Sequence, residues 1–164
     1  MTLRHRQTVP FFEQLGRCVR WHRRLEALYK PDETHESYDF VDYYLTLFQN
    51  LFACRDWLLG TPGLNPGSVE TLFKSPELKL IRDIANGMKH LTINDPSIDA
   101  EFAMVQEYDP DDGVETSAGP VEYVLLAGGE KHPIRQLASN ALSQIHTFAK
   151  GNGLFDRENE MTAF

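Results

Sequence analysis

Residues 36–59 carry the longest apolar periodicity in the chain, and this pattern restricts the fold more than any other feature. Apolar side chains recur every three or four positions, which is the spacing of one helix face. A second apolar row lies beside the first, so this helix must contact two neighbours, as in a helical bundle. The two rows are Phe40, Tyr44, Leu47, Leu51, Cys54 and Leu58, and Val41, Leu45, Phe48 and Phe52.

Other segments repeat the helical pattern. Residues 10–29 and 133–150 each show one apolar stripe, and residues 76–91 begin with a serine N-cap, Ser75, followed by proline. A short helical piece is predicted over residues 68–73, capped by its serine. The pattern therefore predicts four main helices and one short helix.

The region before the last helix changes to strand character. Residues 102–108 and 121–127 read as two strands joined by a polar loop, 109–120. The carboxylates of this loop lack the spacing of an EF-hand, which favours a solvated acidic loop over a calcium site. We therefore expect a β-hairpin without a metal.

Together these elements predict a mainly α fold, an up-and-down four-helix bundle with a short extra helix and a β-hairpin inserted before the last helix. Residues 1–153 form the predicted single domain, with the hairpin at about 101–128, and residues 154–164 form a predicted flexible tail.

Charge and composition favour a cytoplasmic protein. The chain of 164 residues has a net charge of −8, has no apolar run long enough to span a membrane and shows no secretory signal pattern. Residues 1–30 are basic, with a net charge of +5, so the rest carries −13. The acidic body disfavours non-specific binding to nucleic acid, although the first helix offers either a local basic patch or a solvated face.

Two residue types that often carry chemistry are expected to be structural here. Cys18 and Cys54 lie on predicted apolar faces and have no CxxC spacing, so we expect reduced thiols packed as small hydrophobic groups. His22 lies within the apolar stripe of the first helix, which favours a hydrogen-bonded core histidine over a ligand or catalyst.

The helix over residues 76–91 carries a polar row opposite its apolar stripe. In this row His90 could transfer protons, Asn86 could orient a ligand oxygen and Asp83 could fix the imidazole tautomer. The cation of Arg82 or of Lys89 could stabilise a phosphate. The alternative is a polar helix face without chemistry. The row consists of Asp83, Asn86 and His90, with Lys79 and Arg82 beside it.

Two expectations follow from this row. The face of Asp83, Asn86 and His90 should lie outside the core, because it is offset around the helix from the apolar stripe. An enzyme should also place Asn86 and His90 in a concave site with a basic residue such as Arg82, Arg55 or one from the first helix.

The nine residues 82–90, Arg-Asp-Ile-Ala-Asn-Gly-Met-Lys-His, resemble the HEPN superfamily of small helical bundles. The segment is also similar to uncharacterised bacterial and phage proteins with an RD-x-[AC]-N-x-x-KH helix. In that family a polar residue and a histidine match Asn86 and His90, whereas the position of the family's arginine falls on Ala85. The resemblance implies a mobile-element or defence context, a dimer cleft and RNA that is bound or cleaved. Any cleavage is expected to proceed without a metal, because the sequence offers no convincing metal-binding cluster.

The sequence thus leaves two function classes open. One is a HEPN-like RNA-binding protein or metal-independent ribonuclease that uses His90, Asn86, Arg82 and Asp83, with a homodimer as an open alternative. The other is a non-enzymatic acidic module that binds a protein partner, as an inhibitor or antitoxin does. In both, no cofactor, no metal and no membrane partner is expected.

Overall fold

Five helices and three short strands make up the parts of the chain that the computed structural model describes, which are residues 11–30, 37–89, 98, 103–107 and 122–154. The predicted fold class, a mainly helical bundle with a hairpin before the last helix, is confirmed. The elements are α1 (Phe11–Leu28), α2 (Ser37–Leu59), α3 (Pro66–Leu72), α4 (Pro76–Lys89), β1 (Ala103–Glu107), β2 (Glu122–Ala127), β3 (Glu130–Pro133) and α5 (Ile134–Gly151).

Helix α2 is the centre of the bundle, as its broad apolar surface predicts. It packs against α1, α4 and α5, and five of its large side chains are fully buried. Burial of each such side chain stabilises the fold by about 1.5–3 kcal/mol relative to an exposed one. The fully buried residues of α2 with the largest side chains are Tyr44, Leu47, Phe48, Leu51 and Leu58.

The ends of α3 and α4 follow from capping chemistry. The side chain of Ser75 accepts a hydrogen bond from the backbone N–H of Leu78 at 3.4 Å, which fits its predicted capping role. For α3, however, the prediction that Ser68 is the cap is wrong. The side chain of Asn65 caps this helix by accepting from Gly67 N at 2.8 Å, because Pro66 occupies the first helical position.

The hairpin is part of a three-stranded antiparallel sheet in the order β1-β2-β3. Strand β3 was not predicted, since its polar sequence has no apolar alternation and pairs only because β2 lies beside it. Gly128 and Gly129 join the two strands with φ values of 59° and 77°, a left-handed conformation that glycine adopts without strain. The predicted acidic loop, 109–120, lies outside the described residues.

The sheet is attached to the bundle by aromatic packing. Tyr123 of β2 stacks on Phe40 of α2 with ring centroids 5.1 Å apart, and its ring lies 6.4 Å from that of Tyr44. Within the described residues, no helix has the length and apolar character needed to cross a membrane. The tail beyond residue 154 lies outside the described part, so its predicted flexibility stays a prediction.

Candidate functional site

Helix α4 presents a narrow polar arc between buried flanks. Its residues Lys79, Arg82 and Asn86 are spaced by three and four positions, so their side chains lie along one side of the helix. The remaining described positions mostly pack into the bundle. The buried residues of α4 are Leu78, Leu80, Ile81, Asp83, Ile84 and Ala85.

Asp83 is a core residue, so the prediction that its face lies outside the core is wrong for this position. Its side chain is 2% exposed, and Oδ2 accepts a hydrogen bond from the backbone N–H of Ile98 at 2.7 Å. Helical periodicity places Asp83 beside the polar arc, but it cannot reveal that a later segment of the chain covers the carboxylate. The contact ties residue 98 to the bundle.

Arg82 and Asn86 line one pocket, which we call the cationic pocket, with a volume of about 420 Å³. Asp83 is not among its lining residues, and His90 lies outside the described residues. The structure thus brings together two of the four predicted site residues. The pocket is lined by Phe52 and Arg55 from α2, by Glu70 from α3, by Phe73 and Lys74 from the following turn, and by Lys79, Arg82 and Asn86 from α4.

Arg55 is held in position by carboxylates. Its guanidinium lies 2.6 Å from Oε1 of Glu70 and 3.5 Å from Oδ1 of Asp56, with the side chain 33% exposed. A cation at the edge of an apolar helix face is expected to reach solvent or to meet an acid, and Arg55 does both. Glu70 thereby orients the arginine at the rim of the pocket.

Positive charge predominates around this pocket. Its lining residues carry four cations and one carboxylate, Glu70. Among the described residues, Lys74 and Lys79 form no ion pair. Such a surplus around a concave surface favours an anionic ligand, because Lys74 and Lys79 keep binding capacity that no acid among the described residues uses.

Sequence reasoning missed the contributions of Phe52, Phe73 and Lys74. The two phenylalanines occur in apolar patterns that predict core packing, and Phe73 is indeed buried, while Phe52 is half-buried. Lys74 lies in a turn between two helices, where a lysine is unremarkable in sequence. Only the packing of α3 and α4 against α2 brings the three residues to one pocket.

His22 takes part in a polar seam between α1 and α5, formed by His22, Glu26, Arg135 and Ser139. Its Nε2 is hydrogen-bonded to Oγ of Ser139 at 3.0 Å, and the ring is half-buried, which confirms the predicted hydrogen-bonded core histidine. Burial lowers the pKa of His22, an effect that Glu26 opposes and Arg135 reinforces. At neutral pH the ring is therefore held uncharged.

The two charges of the seam are paired with each other. The guanidinium of Arg135 donates from Nε to both carboxylate oxygens of Glu26, at 3.0 and 3.2 Å, and lies over the ring of Tyr29 at 4.4 Å. The hydrogen bond from Arg135 lowers the pKa of Glu26. Both charged groups are therefore bonded to partners within the fold.

The thiols of Cys18 and Cys54 are packed in the core, as predicted. Their sulfur atoms are 3.6 Å apart between α1 and α2, and both residues are fully buried. Burial raises the pKa of Cys54 well above its ordinary value. A thiol kept protonated in this way is a poor nucleophile, so its role is packing.

Two other depressions have different chemistry. One of about 750 Å³ lies between α3 and α5 and is largely apolar, with Leu72 and Phe148 in its lining and Lys74 as its one cation among the described residues. Another of about 270 Å³ lies beside the β2–β3 turn and carries the acids Glu77 and Glu130. Neither gathers several cations as the cationic pocket does.

Comparisons of the chain with known protein families, with curated proteins and with solved structures find no match. The described residues also include no group of three or more histidine, cysteine or acidic side chains that could hold a metal ion. A functional proposal therefore depends on the geometry of the cationic pocket.

Proposed function

We propose that this protein binds single-stranded RNA through the cationic pocket. The observation that carries the proposal is the convergence of Arg55, Lys74, Lys79 and Arg82 on one pocket that also has aromatic walls. Cations bind the phosphates of single-stranded nucleic acid, and aromatic rings stack on its bases. The HEPN resemblance points to the same ligand class.

The acidic character of the whole chain fits a local binding site. With a net charge of −8, the protein as a whole repels a polyanion, so affinity has to come from short-range contacts in the pocket. We therefore expect binding that depends on a few residues rather than on the general charge of the surface. Asn86 adds an amide that can donate to or accept from a base edge.

Binding is tested with a short fluorescently labelled single-stranded RNA and measured by anisotropy. The wild-type protein should bind, and Arg82→Ala should weaken binding about tenfold, because one charge-assisted phosphate contact is removed. Lys150→Ala is the control, since it removes an exposed cation that does not line the pocket. Equal affinity of the wild-type protein and both variants would contradict the proposal.

Cleavage is a separate property that the same samples can test. The proposal of binding does not require it, but the HEPN resemblance assigns proton transfer to His90. RNA cleavage in EDTA that is lost in His90→Ala would add a metal-independent ribonuclease activity. If RNA is neither bound nor cleaved and a stable protein complex forms instead, the proposal fails in favour of the acidic protein-binding module.

A further inference from the structure

The charge of the cationic pocket exceeds what an internal phosphate of RNA can neutralise. Arg55 is already paired with Glu70 and Asp56, whereas Lys74 and Lys79 form no ion pair among the described residues and supply two positive charges. A phosphodiester within a strand has a single negative charge, whereas a terminal phosphate monoester carries about −1.5 to −2 at pH 7. The pocket therefore matches a chain end better than a chain interior.

The cations approach the pocket from three directions. Arg55 comes from α2, Lys74 from the turn after α3, and Lys79 from α4. The turn is fixed by backbone hydrogen bonds, in which Lys74 N donates to Thr71 O at 3.2 Å and Ser75 N donates to Leu72 O at 3.2 Å. Donors on three sides suit the three equivalent oxygens of a terminal phosphate.

The size and walls of the pocket favour one attached nucleoside. A volume of about 420 Å³ lies near the lower end of the range for small-ligand sites, about 300–1,000 Å³. The half-buried ring of Phe52 supplies an aromatic surface against which one base can pack. Asn86 can hydrogen-bond to the edge of that base.

From this geometry we propose that the cationic pocket holds the terminal phosphate monoester of an RNA strand, with the adjoining base against Phe52. This inference rests on the proposed RNA-binding function. The shared chemistry is a phosphate monoester next to a base, which occurs at a 5′-phosphorylated end, at a 3′-phosphorylated end and in a free mononucleotide.

The test compares RNAs of one sequence with an internal label: a 5′-phosphorylated strand, a 3′-phosphorylated strand, a strand with two hydroxyl ends, and a circular form. One phosphorylated strand should bind about tenfold more tightly than the hydroxyl-ended strand at pH 7.5. The circular RNA should bind no better than the hydroxyl-ended strand. AMP and inorganic phosphate are added as competitors to identify a free mononucleotide or ion as the preferred ligand.

The pH dependence gives a second readout. A phosphate monoester has its second pKa at about 6, so the advantage of the phosphorylated strand should shrink as the pH falls from about 7.5 to about 5.5. We expect this change in affinity to come from protonation of the RNA phosphate, because none of the described charged groups facing the pocket is a histidine. These groups are Arg55 from α2, Glu70 from α3, Lys74 from the turn, and Lys79 and Arg82 from α4.

Matched variants locate the effect. Lys79→Gln should reduce the preference for the phosphorylated end to about twofold or less, since it removes one of the converging charges. The control Lys150→Gln, which removes an exposed lysine away from the pocket, should keep the full preference.

The outcomes separate this inference from the proposed function. Equal binding of all four RNAs, weakened together by Lys79→Gln, would overturn the end specificity and leave RNA binding intact. Binding of AMP or inorganic phosphate without binding of RNA would overturn both. A preference that Lys79→Gln does not change would place the end elsewhere on the protein and overturn the inference.

Discussion

The cationic pocket and the polar seam between α1 and α5 both contain charged side chains at helix contacts, but they use them differently. In the seam, Arg135 is bonded to Glu26, and His22 is bonded to Ser139. In the pocket, one acid, Glu70, faces four cations. Paired opposite charges are typical of a contact that holds two helices together. An excess of one charge sign around a cavity is instead typical of a site that binds a ligand of the opposite charge.

The paired side chains of the seam also resemble part of a catalytic site. A serine hydrogen-bonded to a histidine resembles a nucleophile and its base, and Glu26 lies on the same helix one turn later. However, Glu26 is bonded to Arg135, and none of the described depressions is lined by Ser139. The seam therefore serves to hold α1 and α5 together.

The largest expected effect concerns the pocket. Lys74→Gln combined with Lys79→Gln should weaken binding of phosphorylated RNA about 100-fold, or about 3 kcal/mol, with the melting temperature nearly unchanged. The salt dependence of binding should also fall, by a slope of about 0.7 for each lost phosphate contact. Anisotropy titrations at several salt concentrations measure both effects.

The control for this double variant is Lys131→Gln combined with Lys150→Gln, which removes two exposed lysines outside the pocket. It should bind as the wild type does. Equal losses in the two double variants would show that general surface charge, rather than the pocket, attracts the RNA.

The second prediction concerns Asp83, which lies next to the pocket arc in sequence but is buried. Asp83→Ala should lower the free energy of unfolding by about 2 kcal/mol, because the hydrogen bond from the backbone N–H of Ile98 to the charged carboxylate is lost. Asp83→Asn keeps an acceptor and should cost less. Denaturant unfolding measures both variants, and an unchanged stability for Asp83→Ala would contradict the structural role.

The third prediction concerns the ion pair of the seam. Glu26→Gln should lower the free energy of unfolding by about 1 kcal/mol at neutral pH, a small value because the side chains of Arg135 and Glu26 are 40% and 32% exposed. RNA binding should be unaffected, since Glu26 does not line the pocket.

The pH dependence of this variant has a definite sign. The folded-state pKa of Glu26 is lowered, so its contribution is complete above the ordinary value of 4.5 and is lost as the pH falls through the lower folded-state pKa. The stability difference between wild type and Glu26→Gln should therefore disappear in acid. A constant difference at every pH would rule out the ion pair as its origin.

The smallest effect is expected at His22. Because burial lowers its pKa, the folded protein binds a proton less readily than the unfolded chain, and stability falls as the pH decreases below 6.5. His22→Gln should remove this part of the pH dependence. An NMR titration of the imidazole should give a pKa below 6.5, and a value above it would contradict the buried, neutral ring.

Local sequence patterns predicted most of the fold. The two apolar rows of α2 predict a central helix, and Ser75-Pro76 predicts the start of α4, because helical periodicity and capping depend on residues within a few positions. The core positions of Cys18 and Cys54 follow from the same periodicity. Strand β3 could not be predicted in this way, since its pairing depends on β2 rather than on its own residues.

The sequence by itself determined the helical class of this protein and the polar arc that contains Arg82 and Asn86. Only the tertiary structure decided that Asp83 is buried under Ile98 and that Phe73 and Lys74 join the arc in one pocket. The physical reason is that a helix face is set by neighbours along the chain. A pocket is set by the packing of several helices, and the residues that complete it can come from any of them.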